Sequence, residues 1–271
     1  MRFLFSLFTV LYLSLSLSAA KAQSSGTRIN WTCTSEGYRF LWNAKDLTAA
    51  KISTGKTVYS VAEAVKREIG KPGTDDVFTF YQVDFAPLSV VGSYLSYQRD
   101  DSWDGGAHPS GNEQFVTVDV LNPRRRVRLT DLFPAETIRK ALLADTVVKR
   151  VLKREKIPTP ATLDGLVKAL SGQFFGGEDD GKYAFPPNLL EDFAFHHVEN
   201  GSVAVRFLMP HGTEIFRFQN TQLGILLPVP PRMRTAFAQA SAGKNGVMMK
   251  SLPNSDRKTE LVLYERAAVR H

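Results

Sequence analysis

The chain has 271 residues, 43% of them hydrophobic and 23% charged, with a formal net charge of +7 and a single cysteine. That length is ample for burying a core, and it allows one large domain or two small ones. The composition excludes a disordered chain, a collagen-like chain and a small disulfide-stapled scaffold.

The first segment sets the compartment. Met1-Arg2 is a short positive start, Phe3–Leu17 is an uncharged apolar run, and Ala20-Lys21-Ala22 is an A-x-A site suited to signal peptidase. A membrane anchor is the alternative, but the run is near the lower length for a span and is diluted by serines and a threonine. Residues 1–22 are therefore expected to be a signal peptide that sends the chain to the periplasm or outside the cell. Cleavage after Ala22 removes Arg2 and Lys21 and no acid, leaving 249 residues and a net charge of +5. Cys33 then has no partner in an oxidising space, and a buried, inert thiol is expected.

In chain order, strands are predicted over Arg28–Thr34, Val77–Phe85, Leu88–Arg99 and Phe115–Leu121, each rich in β-branched and aromatic residues. Val58–Ile69 reads as a short helix ending at Gly70. One longer helix is predicted after Pro134, running from Ile138 to Glu155 with an apolar face and a basic one. Thr162–Leu170 makes a second helix, and Gly172–Pro187 is a loop containing the acidic Glu178–Gly181. Phe193–Val198 and Val203–Met209, joined through Asn200-Gly201, give the sharpest hairpin signal. Glu214–Phe218 and Leu223–Leu227 continue as strands, Arg232–Ala240 as a helix, and Glu260–Tyr264 as an edge strand after a loose tail. Strands grouped around a helical insertion predict an α+β fold with a mainly antiparallel sheet. The expected division is a subdomain over 23–84, a C-terminal domain over 85–240 and a tail over 241–271.

The positive charge invites a nucleic-acid reading. Arg124-Arg125-Arg126 with Arg128 is the densest basic cluster, but it follows Asn122-Pro123 as a turn, and no zinc knuckle, helix-turn-helix or RNP-like motif accompanies it. A solvated turn is expected there, and no nucleic-acid partner. His196 and His197 are adjacent on a predicted strand, which sends their side chains to opposite faces; no metal is expected. No G-x-S-x-G elbow or S-x-x-K motif is present, and Asp100, Asp101 and Asp104 fall in loop-like sequence. No cofactor is implied.

The segment that stands out runs from Ser93 to Pro109. Paired tyrosines, Tyr94 and Tyr97, lead to Trp103-Asp104-Gly105-Gly106-Ala107-His108, where two glycines permit a tight turn that carries His108 back across the strand ends. It reads either as a platform presenting Trp103 and His108 to a partner or as a turn whose histidine caps a carbonyl.

That Gly105–His108 turn, with Val127-Arg128-Leu129-Thr130-Asp131-Leu132-Phe133 and the later Asn200–Phe207 and Leu223–Pro228 stretches, resembles the extracytoplasmic domain of RsiV-type anti-sigma factors, also found beside PdaC-type peptidoglycan deacetylases. The resemblance spans roughly Phe85 to Pro230. It implies a non-enzymatic sensing or binding domain outside the membrane, with lysozyme as the ligand. Separately from the resemblance, the partner is expected to be another protein or a cell-wall glycan such as peptidoglycan, and the basic surface of Arg124–Arg128 and the Ile138–Glu155 helix would suit an anionic wall polymer. The sequence departs from the family in having its apolar run at the very start, no T-x-D-D or H-x-x-x-H motif, a basic charge that opposes a basic lysozyme, and Pro109 and His211 at two family positions. The expected ligand-contacting residues are Tyr97, Trp103, Asp104, Gly105, Gly106 and His108, with no catalytic residue. The alternative is a cell-wall hydrolase using His108 and an acidic neighbour as acid and base.

Overall fold

The N-terminal residues of the described chain form a meander. In a computed structural model that describes residues 29–70, 80–104, 109–176, 182–211, 220–252 and 258–265, strands β1 (Ile29–Ser35), β2 (Tyr38–Asn43), β3 (Leu47–Lys51) and β4 (Thr57–Ser60) pair antiparallel in that order. The two-residue turn between β1 and β2 holds Glu36 and Gly37 at positive φ, the twist a tight hairpin demands. Asn43 closes the next turn: its Oδ1 accepts from the amides of Lys45 and Asp46. The sequence reading missed β2 and β3. Helix α1 (Val61–Ile69) is shorter than predicted, because Val58–Ser60 stay extended against β3. Its start is fixed by Ser60, whose Oγ accepts from the Glu63 amide. The signal segment 1–22 lies outside the described residues.

Two predicted strands prove to be divided differently. Strand β5 (Phe80–Val91) runs straight through Pro87, and the turn falls at Gly92-Ser93 before β6 (Tyr94–Asp104). A register shift between Pro87 and Ser89 absorbs the proline's missing donor. Strand β7 (Pro109–Asp119) returns alongside β6. Asp100 and Asp101, expected in a loop, are therefore strand residues.

The helical insertion holds α2 (Leu129–Leu132), α3 (Ala135–Ala144), α4 (Thr146–Arg154) and α5 (Leu163–Leu170). The single helix predicted over Ile138–Glu155 is two, because Asp145 leaves the helix and caps α4, its Oδ1 accepting from Val147 and Val148. Within the stretch expected as a loop, β8 (Phe174–Phe175) and β9 (Tyr183–Ala184) pair briefly; Gly177–Gly181 lie outside the described residues. Strands β10 (Phe193–Glu199) and β11 (Ser202–Pro210) form the predicted hairpin, joined by β12 (Asn220–Pro228). The strand predicted over Glu214–Phe218 falls outside the described residues. Helix α6 (Arg234–Ser241) follows, and β13 (Thr259–Glu265) pairs with β5, so the order of the second sheet is β13-β5-β6-β7.

The layers stack through alternating strand faces. Tyr97, Val116 and Val118 of the second sheet meet Phe40, Trp42, Tyr59 and Val65 of the meander and α1. From the opposite face, Leu88 and Phe115 meet Ala194 and Leu208. The far face of the third sheet, Phe193, Val205, Phe207 and Ile225, is covered by α3–α6 through Ile138, Leu142, Leu166 and Phe237. Hydrogen bonds sew the layers together: Thr117 Oγ1 donates 2.6 Å to the Phe193 carbonyl, and Trp42 Nε1 donates 2.8 Å to Thr259 Oγ1. The fold is α+β with antiparallel sheets, as the sequence implied.

Candidate functional site

Of the predicted contact residues, Tyr97 lies near the start of β6 and Trp103 and Asp104 at its end. Tyr97 is buried, and its hydroxyl shares a 3.0 Å hydrogen bond with that of Tyr59. Trp103 lies six residues along, about 20 Å at strand rise, half-buried and stacked on Tyr81 with ring centroids 6.0 Å apart. Asp104 is half-buried at the end of β6, while Gly105, Gly106 and His108 lie outside the described residues. Tyr97 and Trp103 share a strand face but no site. Between them the face is occupied by Arg99, which is 3% exposed and held by Asp101 at 2.9 Å and Glu68 at 2.7 Å. Arg99 and Asp101 are buried while Glu68 is exposed, so the guanidinium is held inward on the sheet and reaches out to tie down α1.

The structure assembles a different site at the Tyr97 end. A cleft of about 510 Å³ opens between α1 and the β7–α2 connection. Arg67, Arg124, Arg125 and Arg126 stand around it, with Glu68 the one acid, and Tyr59 and Tyr97 form its floor with Val116 and Val118. The arginine cluster predicted as a solvated turn is thus folded over a concave surface. The reason is local. Val127 is buried and its amide donates to the Thr117 carbonyl, so the turn is pinned back onto β7. Arg126 then points inward: its Nη2 donates 2.8 Å to Gln114 Oε1, and its Nη1 lies 3.7 Å from Asp192 Oδ1. Arg125 is paired with Asp131 at 2.7 Å in the open. Arg67 and Arg124 have no ion-pair partner among the described residues. Guanidinium groups gathered over a floor of tyrosine and valine side chains offer planar, directed donors to an anion.

Burial shapes the acids around the cleft. Asp192, 6% exposed, has its carboxyl pushed up to about 7 by desolvation, which outweighs the Arg126 charge. Burial likewise holds the hydroxyls of Tyr59 and Tyr97 protonated, their ionisation raised above the ordinary range. No pair of these groups forms a nucleophile with its base. Elsewhere the Cys33 thiol is half-buried rather than buried as expected and pairs with no other cysteine, and burial pushes it up to about 12, which keeps it a thiol rather than a thiolate.

The histidine pair corrects another expectation. A register shift between Phe195 and His197 inserts an extra residue in β10, so both rings leave on one side. Their Nδ1 atoms lie 2.7 Å apart, and His197 Nε2 reaches Glu199 Oε2 at 3.2 Å. Among the described residues no group of three or more His, Cys, Asp or Glu side chains is arranged to hold a metal ion.

The molecule is thus an antiparallel α+β protein with an arginine-walled cleft. No family model matches the chain, and no curated protein matches it. Among solved structures, it is similar to the crystal structure of a member of the DUF3298 family from Bacteroides fragilis. The identity is 15% and the TM-score 0.25, over 65% of this chain and 60% of that one. The match thus reaches about 60% of that protein's length. Among the described residues no helix is long and apolar enough to cross a membrane.

Proposed function

We propose that the chain is an exported, non-catalytic binding module of the bacterial cell envelope, and that its ligand is an anionic cell-wall polymer seated in the arginine cleft. The observation that carries this is the cleft itself: four arginines converge on one concavity, two of them without an ion-pair partner among the described residues. Unpaired cations lining a groove attract a polyanion, and the groove gives it a path. The leader sequence supports the envelope location, and the resemblance to RsiV-type domains supports binding rather than turnover. A basic lysozyme fits this cleft poorly on charge.

The test is co-sedimentation of the purified mature chain with wall sacculi that retain their anionic polymers, beside sacculi stripped of them. Retention is expected on the first, falling steeply with added salt. Arg67→Ala with Arg124→Ala is expected to weaken it roughly tenfold. Equal retention on stripped sacculi, or release of soluble wall fragments by the wild type, overturns the reading. Immobilised lysozyme serves as a second bait, and salt-resistant capture by it counts against the polymer.

A further inference from the structure

The face of the third sheet that turns toward β5–β7 carries a half-buried arginine with nothing to hold. Arg206 sits in the middle strand β11, opposite Ala194 on one side and Gly224 on the other. Its guanidinium lies across Gly224 so closely that a Cβ there would meet Nη1 and Cζ, the latter at 2.8 Å. The glycine is what gives the guanidinium its seat. Nε is fully enclosed and without a hydrogen-bond partner, and no ion pair involves Arg206 among the described residues. Desolvated guanidinium donors left unpaired cost stability, and proteins ordinarily answer them with a carboxylate or a bound anion.

The surroundings are basic. The bulge in β10 brings His196 and His197 to the same face as Arg206, since His197 pairs with Ala204, two residues along β11. The Nδ1 of His196 is taken up by His197, while its Nε2 has no partner among the described residues. Lys250, in the short 3₁₀ turn Met249–Ser251 that packs on β10, adds a further charge. Among the described residues Glu199 at this end is engaged by His197 at 3.2 Å. Leu226, next to Ala204 on β12, is 48% exposed, which places this end of the face at the solvent rim.

We propose that Arg206, His196 and Lys250 form a second anion site, separate from the arginine cleft, that takes a phosphate group. The guanidinium supplies directed donors to the oxygens, His196 Nε2 a further donor when protonated, and Lys250 a flexible charge. His196 protonates less readily than an ordinary histidine, because it is partly buried and faces Arg206, His197 and Lys250. An anion among these groups reverses that bias, so phosphate binding and His196 protonation favour each other.

The experiment is a titration of the full chain with inorganic phosphate, read at the His196 imidazole resonances. A saturable shift and a rise in the His196 titration midpoint are expected. Arg206→Met is expected to weaken the response roughly tenfold, and Gly224→Ala to weaken it by lifting the guanidinium from its seat. Should Arg206→Met fail to fold, Arg206→Lys tests the same point, since it keeps charge and loses the fork. Arg67→Ala with Arg124→Ala must leave the His196 response unchanged, whatever it does to polymer retention. A glycerol phosphodiester that gives the same shift identifies phosphate carried on a polymer; inorganic phosphate alone identifies the free ion. A His196 response that persists undiminished in the Arg206 and Gly224 variants, or none with on the order of 50 mM phosphate, overturns the site.

Discussion

At the scale of single residues, the polar groups that matter are those the fold has dried. Asp192 and Glu113 are both pushed up to about 7, in each case first by burial. Glu113 also stands in a row of carboxylates, opposite Asp100, which is opposite Asp84, which is opposite Glu260. Like charges placed directly across strands repel, and Lys258, paired with Asp100, offsets this only in part at Glu113. Because both groups hold their protons more tightly in the folded than in the unfolded chain, their contribution is full below about pH 4. It is lost as pH rises through about 7. We expect the melting temperature to fall across that window, and Asp192→Asn to remove much of the fall. The buried Asp192 alone accounts for on the order of 4 kcal/mol. Thermal melts at half-unit pH steps check this, and an unchanged slope in Asp192→Asn disproves the assignment. The tyrosine pair gives a second expectation. Tyr97→Phe leaves the Tyr59 hydroxyl buried without its partner at 3.0 Å and should cost about 1–2 kcal/mol in urea denaturation.

At the scale of elements, local chemistry was legible wherever it was self-contained. The Asn200-Gly201 hairpin, α5 and the edge strand β13 lie within a few residues of where the sequence puts them. Errors arose where two signals competed. Pro87 reads as a strand break, yet β5 accommodates it at a bulge. The amphipathic period runs on across Asp145, yet the aspartate serves better as a cap than as a helical residue. The histidine bulge is invisible for a related reason: nothing in Phe193–Glu199 announces the extra residue that brings both rings to one face. Asp145→Ala is expected to cost about 1 kcal/mol, because the Val147 and Val148 amides at the start of α4 lose the carboxylate oxygen that accepts from both. Asp145→Ser should restore most of it. Equal stability of the alanine and serine variants in equilibrium denaturation would show that the cap contributes nothing.

At the scale of the whole molecule, what the sequence withheld is stacking. The arginines of 124–126 were visible as a cluster, but their cleft exists only because α1, almost sixty residues earlier, packs beside β7. No period or motif records that neighbourhood. The chain's closure is equally long-range. Trp42 Nε1 donates to Thr259 Oγ1, and that hydroxyl donates to the Asn43 carbonyl, linking β2 to β13 across 217 and 216 residues. Strand β13 also covers the outer edge of β5, whose Val83 and Phe85 are fully buried. Contacts of such separation are formed late and at large loop-closure cost, so they hold the layers in register only when both ends are present. A chain ending at Leu252 keeps every helix among the described residues and the whole third sheet, but it exposes the β5 edge and strands the Trp42 indole donor. We expect it to unfold at lower urea than the full chain, with Trp fluorescence already red-shifted in the native baseline. Thr259→Val should reproduce part of that loss, by about 1–3 kcal/mol, since it removes both hydrogen bonds and keeps the strand. If the truncated chain instead melts with the midpoint of the full one, β13 is an appendage, and the closure between the two ends of the chain is not what holds the first two layers together.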